Sequence, residues 1–552
     1  MKRIVIAAIC LASAIGSARA QSTLSDPSVY PNLAGPIVLA DAVNPGNVPE
    51  CRGVALAQEI VSLVQNATED PEEAFERWRT ERRSMVEMSP AIECQSKLWQ
   101  AMRRAQGIGN TAKVPVGTET FGLRPTADDS PQARFLRELM ARGEAASIGG
   151  NVLVAGGVEN YQGEMQIAVN PNNHQQLVAG ANHFYADPNC LRPGGGATNG
   201  TQALYGSTDG GATWNYRCAP WPSDITGSVS GAAFFFGSDP ALAWNAQGHA
   251  FVAYMLLNCN SAQTSCGYSI VVARSTDVRQ TWVPWGTVDN HSGDPTHGDD
   301  KEMIAVDNSP GPASTKSHPG RVYVIWDDLN VERVAYSDNG TSWTTVILPV
   351  STNAIGGNIV VGNDGTVYAI WSRLADPELI VFSKSVDGGN TWTTPVTAAS
   401  TALLSFGTNN KPPAQESRGV NAFGSIGMDS NPASPYFGNL YIVYNDFPTG
   451  TSTGTNIDIY MVMSSDGGVS WSPKVKVNDD AGTATQIFPW VAVDQSDGTV
   501  KVSWYDSRVN AANNRKTQVF YARSSNGGIS FEPNLLVTDN GGVVWRNAVN
   551  YS

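Results

Sequence analysis

Two short stretches of the chain carry residue types that perform acid–base chemistry. The first, Asp299-Asp300-Lys301-Glu302, places four charges directly before an apolar run that begins at Met303. Like charges held this close raise the pKa of at least one carboxyl group, as a general acid requires. We therefore predict Asp300 and Glu302 as catalytic acid/base candidates and Lys301 as a substrate-binding residue. A cation site or a solvated rim is the alternative reading of this cluster.

The second stretch, Trp504-Tyr505-Asp506-Ser507-Arg508, ends an apolar strand with a phenol, an acid and a guanidinium. Tyr505 and Asp506 are candidates for a nucleophile or a charge stabiliser. Arg508 is a candidate for gripping a carboxylate-bearing substrate, because a guanidinium binds a carboxylate through two parallel hydrogen bonds. The alternative is an Asp–Arg salt bridge between neighbouring repeat units.

Arg373 and Asp328 also follow apolar strands, and we predict that both contact substrate. Asp327 and Asp328 could equally serve as a pair of calcium ligands. The six histidines show no metal-ligand spacing, and serine or cysteine nucleophile motifs are absent from the sequence. We therefore expect no required cofactor and no catalytic metal, with calcium as the alternative.

The elements that would position these residues are set by a repeat, Ser-x-Asp-x-Gly-x-x-Trp, seen in full at Ser385–Trp392, Ser207–Trp214 and Ser464–Trp471. Three degenerate copies begin at Ser275, Tyr336 and Ser524. The acid can bond backbone N–H groups, the glycine permits positive φ, and the aromatic residue begins the next strand. The repeat therefore predicts a structural hairpin turn. The residues at its acid position are Asp209, Asp277, Asp338, Asp387, Asp466 and Asn526.

Upstream of each copy lie two further apolar strands, such as Met303–Asp307 and Val322–Trp326. Four strands in each of six units predict an all-β, six-bladed β-propeller over residues 150–552. If strands A to D run from the axis outward, residues before strand A and after strand B meet at one end, which we call the mouth. This rule gathers Glu164, His183, Tyr185, Asp239, Tyr254, Asp299–Glu302, Asp327, Asp328, Arg373, Asp446, Tyr505, Asp506 and Arg508.

The turn motif resembles the Asp-box, or bacterial neuraminidase repeat, and the six units resemble the sialidase superfamily over roughly residues 150–540. The resemblance implies an exo-α-sialidase-type glycoside hydrolase acting on a terminal acidic sugar. The family has an Arg-Ile-Pro signature on its first strand, where this chain reads Glu164-Met-Gln-Ile167. Of the three arginines that the family uses for the sugar carboxylate, Arg373 and Arg508 are the candidates, and Tyr505 has no assigned Glu partner.

Two other functions fit the same pattern. A non-catalytic propeller would bind a glycan or a protein, and replacing its mouth acids would leave binding largely intact. A polysaccharide lyase would use Tyr505 or a mouth histidine as its base and would release unsaturated uronates. In each case carbohydrate or glycoconjugate is the expected partner, and we expect a monomer.

The N-terminal part of the chain predicts export. Residues 1–20 have the basic start, apolar run and Ala18-Arg19-Ala20 end of a secretory signal peptide, so the protein is expected to be secreted or periplasmic. Residues 21–50 are expected to be extended or disordered, and residues 51–148 to form a small helical segment with a linker. No other segment is long and apolar enough for membrane insertion.

Charge and cysteine content agree with export. The formal net charge of −14 disfavours nucleic acid and anionic membranes as partners. Six cysteines remain after signal cleavage: Cys51, Cys94, Cys190, Cys218, Cys259 and Cys266. An even number in an exported chain predicts disulfides, although six cysteines allow fifteen pairings. Cys190 and Cys218 lie within one repeat unit, as do Cys259 and Cys266, so we favour these two pairs. Cys51 and Cys94 then remain as the third pair.

Overall fold

The computed structural model describes residues 162–537 with short gaps, together with Val154, Trp545 and Arg546. The gaps fall at residues 184–189, 193–197, 199, 262–263, 279–280, 408, 416–418, 509–510 and 515. The predicted signal peptide, extended segment and helical segment, with Cys51 and Cys94, therefore lie outside the described residues. Two short 3-10 helices, Ser405–Gly407 and Pro413–Gln415, are the helical elements of the described part.

The remaining elements are β-strands in six antiparallel sheets. Blade 1 contains β1 (Gln162–Val169), β2 (Leu177–His183), β3 (Thr201–Ser207) and β4 (Asn215–Cys218). Blade 2 contains β5 (Ala232–Trp244), β6 (Ala250–Asn260), β7 (Cys266–Ser275) and β8 (Val283–His291). Blade 3 contains β9 (Asp299–Val306), β10 (Val322–Asp328), β11 (Val331–Ser337) and β12 (Thr344–Thr352).

The other three blades repeat this order. Blade 4 contains β13 (Ala354–Val361), β14 (Val367–Arg373), β15 (Leu379–Ser385) and β16 (Val396–Ser400). Blade 5 contains β17 (Ser425–Met428), β18 (Leu440–Asp446), β19 (Asp458–Ser464) and β20 (Val475–Lys476). Blade 6 contains β21 (Gln486–Val493), β22 (Val500–Asp506), β23 (Lys516–Ser524) and β24 (Leu535–Leu536), and β25 (Trp545–Arg546) also pairs with β23.

Within each blade the strands pair in chain order, and the first strands of consecutive blades, from β1 to β21, contact one another. The first strand is therefore the innermost one. This arrangement is a six-bladed β-propeller, and it confirms the predicted fold class and the predicted count of four strands in each unit.

The core lies between the blades and is anchored by an aromatic residue at the fifth position of the second strand. Five blades carry one there, and each is 1% exposed or less: Tyr254, Trp326, Trp371, Tyr444 and Trp504. Burying so large a side chain contributes about 2–3 kcal/mol. Because these anchors fix the end of the second strand, the polar residues that follow them emerge at a defined place in the mouth.

The predicted turns join the third and fourth strands. In blade 4 the Asp387 carboxylate accepts from the Thr391 N–H (2.9 Å) and hydroxyl (2.6 Å), while the Ser385 hydroxyl accepts from the Gly389 N–H (2.9 Å). The indole of Trp392 donates to the Gly389 carbonyl at 3.1 Å. Asp209, Asp277, Asp466 and Asn526 accept comparable bonds in their own turns.

The turn of blade 3 corrects the predicted alignment by one residue. Ser337, not Tyr336, accepts from the Gly340 N–H at 2.8 Å, and Asn339 accepts from the Thr341 and Ser342 N–H groups. Asp338 instead accepts two hydrogen bonds from the Arg321 guanidinium, at 2.7 and 2.8 Å. This turn has one residue fewer between its serine and its glycine than the other copies. The glycine and tryptophan keep the spacing of the repeat, whereas the serine and acid positions fall one residue later than predicted.

Both favoured disulfides, Cys190–Cys218 and Cys259–Cys266, are present. Such bonds persist in oxidising compartments, which is consistent with a location outside the cytoplasm. Within the described part of the chain, no helix has the length and apolar character needed to cross a membrane.

Candidate functional site at the propeller mouth

The first strands of five blades are interrupted at the same point by a β-bulge of two residues, shown by a shift in register with the second strand. The first bulge residue has positive φ in every case: Glu164 (49°), Asp239 (56°), Lys301 (57°), Gly356 (70°) and Phe488 (57°). Positive φ is uncommon outside glycine, and bulges of this kind re-aim side chains next to functional sites. The propeller therefore uses one backbone device to direct five residues to the same region.

Three of these bulge residues are charged and in contact. The Lys301 ammonium lies 3.3 Å from an Asp239 carboxylate oxygen and 3.8 Å from a Glu164 oxygen. They come from blades 3, 2 and 1, and all three side chains are at most 13% exposed. We call Glu164, Asp239 and Lys301 the bulge triad.

Polar groups of blade 1 hold the triad in place. The Asn182 amide donates to Glu164 at 2.7 Å and to Asp239 at 3.3 Å, and its oxygen accepts from the Asp239 N–H at 2.6 Å. Gln202 in turn donates to Asn182 at 2.8 Å. Each acid is thus positioned by a side chain that is itself buried and hydrogen-bonded.

The two acids of the triad have opposite electrostatic environments. Burial, and then the negative charge of Asp239, raise the pKa of Glu164 well above its usual value. Burial also opposes ionisation of Asp239, but the Lys301 charge and the hydrogen bonds from Glu164, Ser238 and Asn182 outweigh it and lower the pKa of Asp239. The surroundings therefore favour the protonated form of Glu164 and the ionised form of Asp239. Pairs of carboxyl groups with divergent pKa values are typical of acid/base sites.

Glu302 and Asp300 flank Lys301 on β9 but differ from each other. Glu302 is 1% exposed, and neither carboxyl oxygen has a hydrogen-bond partner among the described residues. Burial, and then the charge of Asp239, raise the pKa of Glu302 well above its usual value. Asp300 is half-buried and accepts from the Lys301 N–H at 2.9 Å. Both predicted acids therefore adjoin the bulge triad, and the surroundings of Glu302 favour its protonated form.

A row of acids continues outward across blade 3. Asp300, Asp327 and Glu332 are direct cross-strand partners on β9, β10 and β11. Burial, and then the charge of Asp300, raise the pKa of Asp327 to about 8, and burial followed by Asp327 raises that of Glu332 well above normal. Like charges directly opposite each other are destabilising, and the raised pKa values of Asp327 and Glu332 favour protonated forms that avoid this repulsion.

The sequence rule missed two buried acids, Glu332 and Glu378, because they lie at the start of the third strand rather than at the two places that the rule examines. Glu378 directly precedes β15, and burial raises its pKa to about 8 while it accepts from the Ala422 N–H at 2.6 Å. The available signal was a lone Glu at the edge of an apolar run, as in Glu378-Leu-Ile-Val381.

The predicted residues of blade 6 are engaged with one another. Asp506 is fully buried and accepts from the Trp504 indole (2.8 Å) and the Arg508 guanidinium (2.8 and 2.9 Å). Arg508 Nη1 also donates to Asp479 (2.6 Å), and Nη2, which lies against Asp506, also donates to Asn534 (2.9 Å). These contacts describe an ion pair within blade 6 and its adjoining loops. Tyr505 packs edge-on against the bulge residue Phe488, with ring centroids 6.5 Å apart.

Asp328 and Arg373, the other two residues predicted to contact substrate, differ in exposure and in hydrogen bonding. Asp328 is buried and accepts from His297 (2.8 Å), Arg333 (2.8 Å) and the Gly298 N–H (3.0 Å). Arg373 ends β14 at the mouth and is exposed. The guanidinium of Arg373 is therefore open to solvent, whereas that of Arg508 is engaged with Asp506 and Asp479.

Two histidines near the mouth come together although their sequence spacing does not show it. His291, at the end of β8, and His297, before β9, stack with ring centroids 3.4 Å apart. Asp328 lies close to both histidines, and Asp289 and Asp299 lie close to His291, with the ligand atoms of each trio within 4.8 Å of one another. This cluster is separate from the bulge triad.

The fold and the mouth define a six-bladed propeller with a buried, proton-retaining carboxylate site on its inner strands. No protein-family model matches the chain, and no curated protein is significantly similar to it. Similar solved structures are a leech intramolecular trans-sialidase (16% identity, TM-score 0.41, 72% of this chain and 71% of that chain) and the NanB sialidase from Streptococcus pneumoniae (10%, 0.40, 62% and 65%). A Penicillium chrysogenum α-L-arabinanase is also similar (12%, 0.38, 62% and 88%).

The six antiparallel sheets establish the six-bladed propeller fold independently of these similarities. The match covers less than two thirds of the NanB chain.

Proposed function

We propose that the protein is a glycoside hydrolase that removes a terminal sugar, with the bulge triad as its acid/base centre. The observation that carries this proposal is the divergence of pKa between Glu164 and Asp239, which touch the same Lys301 ammonium. Glycoside hydrolysis uses one carboxyl group that retains its proton and a second carboxyl group that is ionised, placed on either side of the bond that is cut.

In the proposed reaction, Glu164 gives its proton to the glycosidic oxygen as the bond to the sugar breaks. The ionised Asp239 carboxylate, with Asp300 nearby, stabilises the positive charge that develops on the sugar ring. A water molecule then adds to the sugar carbon and gives its proton to the Glu164 carboxylate, which restores the acid and completes the hydrolysis. Lys301 keeps Asp239 ionised in the resting enzyme by charge attraction. Tyr505 and Asp506 stay predictions as nucleophile or stabiliser, and Asp300 and Glu302 stay predictions as acid/base residues.

Substrate binding at the mouth determines which sugar is accepted. An acidic terminal sugar, as in a sialidase-type reaction, needs a cation for its carboxylate, and the exposed Arg373 is the proposed partner. Lys301 is already compensated by two acids. A neutral sugar would need no such cation, so a substrate panel separates the two cases. The two disulfides support the further proposal that this activity operates outside the cytoplasm.

The test compares release of a fluorophore from α-linked sialosides and from neutral aryl glycosides by wild type, Glu164→Gln and Asp239→Asn. Loss of a general acid typically costs about 10²–10⁴-fold, so both variants should lose at least 100-fold in kcat. Glu532→Gln, on the outer edge of blade 6, is the matched control and should retain full activity. Circular dichroism and thermal melting confirm that each variant is folded.

The pH profile distinguishes an acid role from a packing role. Activity should fall as pH rises through the raised pKa of Glu164, because the proton is then lost. Turnover that survives Glu164→Gln removes the assignment of the acid. Absence of turnover on every glycoside removes the hydrolase proposal, and a glycan-binding screen would then be the next measurement.

A non-catalytic, glycan-binding propeller is the second candidate. The saturated Asp328 and Asp506–Arg508 contacts favour it, because they make part of the mouth a rigid surface rather than a reactive one. In this case Asp239→Asn binds the same glycans as wild type and no preparation releases a product.

A further inference from the structure

The innermost strand of blade 1 exposes an apolar stripe. Met165, Ile167 and Val169 alternate along one face of β1, and they are 61%, 59% and 46% exposed. Ile167 lies three positions after the bulge residue of its strand. The residues at this position in the other four bulged strands are only 3–8% exposed: Leu242, Ile304, Ile359 and Val491. Blade 1 therefore leaves open a face that those blades cover.

In those four blades the covering element is the preceding blade. Leu242 packs against blade 1, Ile304 against blade 2, Ile359 against blade 3 and Val491 against blade 5. In a ring of six blades, the neighbour that precedes blade 1 is blade 6. The stripe therefore lies at the junction of blades 6 and 1, which we call the closing seam.

The closing seam differs in composition from the seams between the other blades. The aromatic anchor at the fifth position of the second strand is replaced in β2 by Ala181. On blade 6, the β22 residues that face away from blade 5 include Lys501, which is ion-paired with Asp494, and Ser503. The same two positions of blades 2 to 5 hold an aromatic and an aliphatic residue: Phe251 and Ala253, Tyr323 and Ile325, Tyr368 and Ile370, Tyr441 and Val443.

Direct packing of blade 6 on the stripe would have two costs. It would desolvate the ion pair of Lys501 and Asp494, and it would leave empty the space that an aromatic anchor fills in the other seams. An additional apolar element placed in the closing seam avoids both.

The chain that precedes β1 already packs on this face. Val154 packs against Ala179, Ala203 and Tyr205 of blade 1. Ala179 is the direct cross-strand partner of Ile167, and cross-strand partners place their side chains on the same face of a sheet. The surface that Val154 contacts is therefore continuous with the exposed stripe.

The sequence upstream of Val154 contains an apolar helix face. Phe135, Leu136, Leu139 and Met140 recur at helical spacing after a Ser-Pro helix start signal. Residues 143–153 connect this stretch to Val154 and span up to about 40 Å when extended, so the connection is long enough for the helix to reach the stripe.

We propose that residues 134–142 form an amphipathic helix that packs on Met165, Ile167 and Val169 and occupies the closing seam. Placing an apolar helix face in an apolar groove is a recurring mode of recognition. The apolar side chains of the helix fill the space left by Ala181. This part of the N-terminal segment then belongs to the propeller, and its role is independent of the proposed hydrolase chemistry.

The test is the reactivity of Ile167→Cys toward a maleimide in the full-length protein. Peptide mass spectrometry reads the modification at that residue, so the native cysteines do not interfere. Ile347→Cys on β12 is the matched control, because Ile347 is 56% exposed. A covered stripe should make Ile167→Cys react at least about tenfold more slowly than the control. Equal rates would mean that the stripe is uncovered and would overturn the proposal.

A second comparison identifies the covering element. Phe135→Glu/Leu139→Glu places two charges in the apolar helix face and should raise the rate of Ile167→Cys to that of the exposed control. Leu139→Ala should act in the same direction, and it serves if the double variant does not fold. Arg137→Glu/Ala141→Glu introduces two glutamates at the same spacing on the opposite side and should leave the cysteine protected. Protection that persists in Phe135→Glu/Leu139→Glu and in Leu139→Ala overturns the proposal, because blade 6 or another element then covers the stripe.

Discussion

Lys301 is the residue on which the charge balance of the mouth depends. Its ammonium compensates Asp239, whose carboxylate is otherwise held in a site that is 8% exposed. An ionised carboxylate that loses its buried partner is destabilising by about 3–5 kcal/mol, whereas the intact pair is not by itself strongly stabilising. The same cation also lowers the pKa of Asp239.

Lys301→Met should therefore lower the free energy of unfolding by about 3 kcal/mol at pH 7. In wild type, the lowered pKa of Asp239 stabilises the folded state at pH values above about 3.9, which is the pKa of Asp in the unfolded chain. This contribution is lost as pH falls below that value. Without Lys301 the pKa of Asp239 rises above that value, so the deficit should shrink as pH falls toward 4.5. Urea unfolding at both pH values measures this change. Lys384→Met is the control, and a deficit independent of pH would contradict the charge argument.

Glu378 should make stability depend on pH in the opposite direction, because burial raises its pKa to about 8. A carboxyl group with a raised native pKa contributes stability below the unfolded value of about 4.3, and that contribution is lost as pH rises toward 8. Between pH 5 and pH 8.5 the loss should be about 4 kcal/mol. Glu378→Gln keeps an oxygen for the Ala422 N–H and should show a correspondingly smaller change in urea midpoint. Parallel pH curves for the two proteins would refute this account.

At the scale of elements, the bulge repeated on five inner strands is what gives the mouth its chemistry. In blade 4 the bulge residue is Gly356, with φ of 70°, and a Cβ there would lie 2.8 Å from the Phe423 ring. In blades 1 to 3 the same conformation is occupied by charged residues, at a backbone cost of about 1–3 kcal/mol each. Strain of this size is retained where side-chain direction matters.

Gly356→Ala should lower the free energy of unfolding by about 2–3 kcal/mol, through positive φ and through crowding of Phe423. Gly320→Ala is the matched control, because Gly320 also has positive φ (93°) but no atom within 4 Å of the added methyl. The control should lose only about 1 kcal/mol. Chemical denaturation of both variants measures the difference, and equal losses would show that crowding contributes nothing.

The turns and the bulges differ in how far the sequence reveals them. Asp387 and its relatives are readable because each turn needs an acceptor, a glycine and an aromatic residue at fixed spacing. The bulge residues Glu164, Asp239 and Lys301 share a backbone conformation and no residue type. Sequence therefore predicted the propeller and located the acids of β9, but it did not identify which mouth residues meet across blades.

At the scale of the whole molecule, the long-range contacts were the part that sequence could not supply. Lys301 reaches residues of two other blades, and His291 stacks on His297 only because β8 and β9 meet at the mouth. Local patterns report on neighbours along the chain, whereas these contacts follow from closing six sheets side by side. The ion pair of Asp506 and Arg508 illustrates the converse, since a pattern typical of a reactive site is satisfied internally.

The two disulfides act on the whole molecule by restricting the unfolded chain. Cys190–Cys218 closes a segment of 28 residues and Cys259–Cys266 one of 7. Loop-closure entropy then predicts that removal costs about 3.5 kcal/mol for the first bond and about 2.5 kcal/mol for the second at 25 °C. The double alanine variants of each pair, compared by urea unfolding under oxidising conditions, should follow this order. The reverse order would mean that native contacts near β6 and β7, rather than the unfolded chain, determine the contribution.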